Sequence, residues 1–403
     1  MKKVIVFSLL LLLGIVLSQA LPYSFGASYT SFQTFIMYLT MVALSYIMID
    51  VGSEFDVDKK DLGSYGWDYV VAMTAATFPW LFVVVYFIFV LSPSGQWFEI
   101  STWKEMLLLG RFAAPTSAGV LFAMLAAADL STTWMFKKAR ILAVFDDLDT
   151  VLLMVPLTIL MVGLSWQLVL VMAVLIGMLA VGYKNLRTLS IPCTWRSMLG
   201  YAFLIATTSK LVLLGSKAID PLTPVHIEVL LPAFLLGCMI KPSPEANPHD
   251  PERVSANTVI AGIFMVLVGL SMPLMELDMF SDSAASEALS PWGLPGHVLA
   301  VTVISNLGKM FPLFCYKREA SFKERLALSI GMFPRGEVGA GVLIISLGYG
   351  IGGQALTIAM LSLTLNLFMT GFFIMAVRAL LNKDAEEKTV QQTIPRPVQV
   401  VMS

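Results

Sequence analysis

Long apolar segments separated by short polar ones run through almost the whole chain and constrain its fold. A bilayer offers no water to backbone N–H and C=O groups, so an apolar segment of about 20 residues crosses it as a helix. Of the 403 residues, 57% are hydrophobic and only 13% are charged. We predict an all-α polytopic membrane protein with about 12 transmembrane helices, at 4–20, 32–51, 68–91, 105–126, 138–161, 167–182, 197–217, 225–240, 254–273, 296–316, 322–347 and 354–380.

The basic residues predict an orientation. Four of the 26 lysines and arginines lie deep within predicted spans, and the others lie in loops or at the ends of spans; of these, only Lys104 and Lys217 lie on the minority side of the membrane. Positive loops favour the cytoplasmic side, so both termini are predicted in the cytoplasm and the protein in the cell membrane. Residues 1–20 also fit a cleavable signal peptide, which would leave eleven spans and move the new N-terminus outside.

The stretches between the predicted spans are too short to form a separate soluble domain. We expect one transmembrane domain, 1–381, and a short polar cytoplasmic tail, 382–403, that is disordered. The basic residues flank spans, so they indicate no nucleic-acid partner. Cys193, Cys238 and Cys315 fit no disulfide or zinc spacing. Without a nucleophile–base pair, an enzyme is disfavoured and no cofactor is expected.

Two adjacent acids, Asp146 and Asp147, lie in the middle of an apolar span. A carboxylate at this depth is costly and indicates a functional site. Mutual repulsion and desolvation both favour protonation, so the pair can hold a proton near neutral pH and release it when a cation arrives. The two side chains point about 100° apart on a helix. Asp149 points elsewhere again, and we expect it to be an acceptor behind the site or a charge on a cavity wall.

Two prolines interrupt spans in the two halves of the chain. Pro115 lies near the middle of the fourth span and Pro334 lies within the eleventh, and each removes a helical hydrogen bond. Pro115 precedes Asp146 by 31 positions, and Pro334 precedes Asn366 by 32. Seven spans separate the two copies, so they face opposite ways. The spacing favours an inverted repeat with two broken helices around a midplane site; kinked helices with chance spacing are the alternative.

Neutral oxygens accompany the first break. Thr116 and Ser117, with the carbonyls that Pro115 frees, are suitable ligands for a hard cation the size of sodium. Lys309 lies in the middle of the tenth span, where an ammonium group needs a partner. One of the paired aspartates is the natural choice. Such an ion pair is either a switch broken by ion or proton binding, or a permanent structural contact.

Arg335 and Glu337 follow Pro334 in the second break. Their separation disfavours a pair on one helix face. Because arginine stays charged in proteins, Arg335 is expected to be a structural or electrostatic group. Glu337 is either its counter-charge across the unwound segment or the partner of Lys309.

These motifs together resemble the sodium/proton exchanger family of the cation:proton antiporter superfamily. The resemblance covers most of the chain, from the acidic stretch 44–55 onward, and rests on Ala114–Ser117, Phe145–Asp147, Gly308–Lys309 and Met332–Gly339. It implies a homodimer in which a core domain moves against a scaffold. It also implies that Asp147 is the principal ion- and proton-binding carboxylate, that Asp146 is tied to Lys309, and that two protons exchange per sodium. Asp149 departs from the family pattern, which usually has an apolar or small residue there.

The predicted function is therefore secondary-active antiport. Sodium, or another monovalent cation, would exchange for protons by alternating access, with Asp147 and Thr116 as sodium ligands. Potassium/proton antiport is the nearest alternative, because spacing does not set cavity size. A channel-like conductor and a non-transporting membrane sensor that retains the fold are the others.

Overall fold

The computed structural model describes residues 2–25, 29–54, 62–162, 166–219, 229–241, 251–272 and 293–393. These residues form fifteen α-helices: α1 Lys2–Phe25, α2 Tyr29–Glu54, α3 Leu62–Tyr86, α4 Ile100–Gly110, α5 Ala118–Ala127, α6 Trp134–Val162, α7 Trp166–Lys184, α8 Trp195–Ile219, α9 Leu230–Met239, α10 Pro251–Leu270, α11 Gly293–Gly308, α12 Phe322–Gly331, α13 Glu337–Gly348, α14 Gly353–Phe368 and α15 Thr370–Thr393. The prediction of an all-α polytopic protein is confirmed.

Several described helices are long and apolar enough to cross a membrane. There are seven such spans, or eight if α14 and α15 form one span bent by 45°. The predicted count of twelve therefore stays a prediction. The prediction for 354–380 was one helix, whereas the chain bends between Phe368 and Thr370. Helix α6 is not among these spans, because it carries Asp146, Asp147 and Asp149 and is therefore more polar than an ordinary membrane-spanning helix.

The predicted tail is partly helical. Helix α15 continues to Thr393, whereas the sequence predicts disorder from residue 382. Residues 394–403 lie outside the described part of the chain, as do 225–228 at the start of the predicted eighth span.

Two groups of helices build the bundle. Helices α1, α2, α8, α9 and α10 pack mainly against one another, while α3, α6 and α11–α15 form a second group around the α4–α5 break. Within the first group, α1 packs on α10 and α2 packs on α9. These helices correspond to the predicted spans one and nine (α1 and α10) and two and eight (α2 and α9). A shift by seven spans, the separation between the two proline breaks, relates span one to span eight and span two to span nine, so it relates the first contact to the second. The packing therefore agrees with an inverted repeat.

Glycines bring the backbones of these paired helices together. A Cβ on Gly14 would lie 2.3 Å from the Val266 carbonyl oxygen, and a Cβ on Gly269 would lie 2.4 Å from that of Leu11. Gly52 and Gly237 face each other in the same way across α2 and α9. Small residues allow helix backbones to approach closely. In a membrane the hydrophobic effect does not drive helices together, so van der Waals contacts of this kind stabilise their association.

We expect Gly269→Ala to lower the free energy of unfolding by about 1–3 kcal/mol, because the new methyl group overlaps backbone atoms that cannot move aside. Gly200→Ala in α8 is the matched control, since a Cβ there meets nothing within 4 Å. The measurement is thermal unfolding of both variants in detergent. Equal stability of Gly269→Ala and Gly200→Ala would show that α1 and α10 are not in backbone contact.

Candidate functional site: the crossing of two broken helices

The first break separates α4 from α5. A 3₁₀ turn at Arg111–Ala113 follows α4, and 115–117 are not helical. Helix α5 begins after Ser117, whose hydroxyl accepts a hydrogen bond from the Val120 N–H at 3.4 Å as an N-cap. Proline supplies no N–H and disfavours helix in the residue before it, which explains why the chain opens here.

The second break separates α12 from α13 and touches the first. Helix α12 begins with a capping box between Ser321 and Glu324 and ends at Gly331, and 333–336 are not helical. The Ser117 N–H donates to the Pro334 carbonyl at 2.9 Å. The two broken helices therefore cross at their extended segments, which agrees with the predicted pair of broken helices around one site.

Asp146 joins three elements at this crossing. Its Oδ2 accepts the Thr116 N–H at 2.6 Å. The Lys309 ammonium group donates to Oδ1 at 3.1 Å and to Oδ2 at 2.9 Å, and both side chains are completely buried. The carboxylate thus binds the first break and the turn that follows α11 to α6.

Thr116 bridges the two breaks through its side chain. Its hydroxyl donates to the Met332 carbonyl at 3.0 Å, and the residue is fully buried. A hydroxyl has one proton and two lone pairs. Donation to Met332 uses the proton, so the lone pairs of Oγ1 stay available to a cation.

Asp147 and Asp149 are also buried on α6, with 4% and 1% exposure. Lys309 lies close enough to interact electrostatically with both. Asp149 interacts with the Tyr69 hydroxyl, and its backbone carbonyl accepts a hydrogen bond from Arg111 Nη2 at 3.0 Å. Because Asp149 is three residues beyond Asp146, the two side chains lie on one face of the helix.

Arg335 holds the backbone of the crossing. Its Nε donates to the Ala113 carbonyl at 2.8 Å, its Nη2 to the Ser305 carbonyl at 2.9 Å, and its Nη1 to Asn306 Oδ1 at 2.7 Å. The guanidinium therefore stabilises carbonyls from the first break and α11. Glu337 begins α13, and its side chain lies outside what the structure describes.

Each break makes an equivalent hydrogen bond, as expected for a repeat. Thr116, which follows Pro115, donates its N–H to Asp146, and Arg335, which follows Pro334, donates its N–H to Asn366 Oδ1 at 3.2 Å. The proline spacing in the sequence pointed to Asp146 and Asn366 as equivalents. The geometry gives a reason for that spacing, since each side chain accepts from the residue after a break.

Some buried or half-buried polar groups were not predicted from the sequence. Asn306 accepts from both Arg335 and Asn366, the latter at 2.8 Å. Away from the crossing, Lys138 pairs with Asp68 at 2.9 Å, and the Tyr316 hydroxyl donates to Asp68 at 2.7 Å. In the sequence, each of these residues could have been recognised only as a polar group in or at the edge of an apolar span. The sequence does not indicate which of them form pairs, because the partners are far apart in the chain.

The architecture is that of a membrane carrier with two crossing broken helices around buried charges. The profile of the sodium/hydrogen exchanger family, transmembrane region, matches residues 2–382. The chain belongs to this family, and it is therefore a transporter of the cation/proton antiport class.

A solved structure shares the fold. The sodium proton antiporter MjNhaP1 from Methanocaldococcus jannaschii, at pH 8, superposes with a TM-score of 0.55 at 16% sequence identity, over 91% of each chain. At this identity the likeness concerns the fold. No curated protein sequence matches the chain.

Proposed function

We propose that this protein exchanges sodium, or another monovalent cation, for protons by alternating access across the cytoplasmic membrane, with both termini inside. The observation that carries the proposal is the Lys309–Asp146 ion pair, completely buried where the two broken helices cross. A buried ion pair is costly to form in an apolar environment. Its position beside Asp147 suits a site whose charge changes during transport.

Asp147 is the proposed carrier of the cation and the proton in turn. Asp146 already accepts hydrogen bonds from Lys309 and the Thr116 N–H. Asp147 points about 100° away from it and remains within the field of Lys309. The free lone pairs of Thr116 Oγ1 and backbone carbonyls of the breaks supply neutral ligands. Competition of a cation and a proton for one carboxylate couples their movements.

The half-helices add an electrostatic contribution. Helices α5 and α13 begin at the crossing, and a helix N-terminus carries partial positive charge. These ends favour ionised acids at the site, while the C-terminal ends of α4 and α12, which carry partial negative charge, favour a cation. The broken helices thus hold both charge types at the midplane without further ionisable groups.

The Lys309–Asp146 pair is the proposed switch. Release of Asp146 from Lys309 would let the pair exchange a proton as well, which supports electrogenic transport of two protons per sodium. A homodimer, with α3–α6 and α11–α15 moving against the other helices, is proposed from the family resemblance.

Reconstituted vesicles with a preset acid-inside pH gradient test the function. A sodium pulse outside should drive proton efflux and dissipate the gradient, because cation entry requires proton release. Lithium and potassium pulses at equal ionic strength rank the cations, and a protonophore sets the complete response. No gradient loss with any of the three cations would favour a non-transporting sensor. Cation flux without proton movement would favour a channel-like conductor.

A further inference from the structure

Arg111 is a buried cation that the proposed exchange does not use. Its side chain is fully buried, and its Nη2 binds the Asp149 carbonyl. Its Nε and Nη1 have no hydrogen-bond partner among the described residues. The guanidinium also lies over the Trp80 ring, 5.0 Å from the centroid. A permanently charged group in this environment needs a nearby negative charge.

Asp149 is placed to supply that charge. It interacts electrostatically with Arg111, and its Oδ2 is buried without a hydrogen-bond partner in the described part of the chain. Asp146 also interacts with Arg111, and more strongly than Asp149 does. Asp146 is already engaged by Lys309 and Thr116. Asp149 is thus the acid available to balance Arg111.

The charges of the described site sum to zero only when Asp149 is included. Arg111, Lys309 and Arg335 are cationic, and Asp146, Asp147 and Asp149 are acidic, all at 4% exposure or less. A bound cation or a protonated Asp147 then adds one positive charge in either case. Without Asp149, the site would hold two excess positive charges as soon as Asp147 carries a cation or a proton, in a medium that screens them weakly.

We propose that Asp149 is the counter-charge of Arg111 and that it sets the affinity of the site for the transported cation without binding the cation itself. Asp149 is thus a positioning residue, acting through the electrostatic field. The inference rests on the proposed exchange function. It also accounts for an acid where the family usually has an apolar or small residue, because the buried Arg111 guanidinium requires one.

The test compares Asp149→Asn, Arg111→Gln and the double variant in reconstituted vesicles. Asp149→Asn should raise the apparent KM for the cation about tenfold, because a unit charge is lost within several ångströms of the site. The maximal rate should stay close to that of the wild type. Arg111→Gln should lower KM. The double variant should return KM close to the wild-type value, because the charge balance is restored.

Rescue separates this role from direct ones. If the double variant is as impaired as Asp149→Asn, Asp149 is a ligand or a proton carrier and the inference fails; an unchanged KM in Asp149→Asn also overturns it. If Asp149→Asn does not fold, the lower KM of Arg111→Gln is the deciding result, and no decrease overturns the inference. Absence of exchange in the wild type would instead refute the proposed function itself.

Discussion

Asp147→Asn is expected to reduce cation–proton exchange to the level of protein-free vesicles. The amide has nearly the shape of the carboxylate, but it carries no charge to hold a cation and takes up no proton near neutral pH. Asp147 is 4% exposed, so water cannot replace the lost charge. The measurement is the gradient loss after a sodium pulse, with the amount of reconstituted protein matched to the wild type.

Asp129→Asn provides the matched control for this change. Asp129 lies exposed between α5 and α6 in a left-handed backbone conformation, φ 61°, which asparagine also accepts. The same chemical substitution should therefore leave exchange unchanged there. A substantial response in Asp147→Asn would move the ion-carrying role to another carboxylate, with Asp146 the nearest candidate.

Lys309→Met is expected to lower the free energy of unfolding by about 3–5 kcal/mol, because it leaves a buried carboxylate without its ion partner. Both partners have no exposed surface, so solvent cannot compensate Asp146. Denaturant unfolding in detergent, compared with the wild type, measures the loss. A change below about 1 kcal/mol would indicate that the pair is not formed in the folded protein.

The double variant Lys309→Met/Asp146→Asn separates stability from switching. Removing both charges leaves neither unpaired, so we expect most of the stability to return. Exchange should remain impaired, because the ion pair that changes during the proposed cycle is gone. A stable double variant with wild-type exchange would instead identify the pair as a permanent structural contact.

The fold was largely predictable because the bilayer restricts a chain so strongly. Apolar length gave membrane helices, and proline gave the two interruptions, since both effects act locally. The exact ends were less accessible. The bend between Phe368 and Thr370 and the helix continuing to Thr393 have no local signal of comparable strength.

The site was predictable as a set of residues but not as a set of contacts. Costly charges in apolar spans identify Asp146, Asp147, Lys309 and Arg335 by residue type and position along the chain. Their partners were not accessible in the same way. Arg335 binds the backbone carbonyl of Ala113, and a backbone acceptor leaves no mark in a sequence.

The sequence by itself determined that this chain spans a membrane, that Pro115 and Pro334 interrupt two of its helices, and which spans carry its charges. These properties follow from residue type and spacing along one helix. Tertiary structure decided that Lys309 pairs with Asp146, that Thr116 bridges both breaks, and that Arg111 lies against Asp149. Each contact joins residues 30 or more positions apart. It therefore depends on how helices rotate and cross, which local periodicity does not specify.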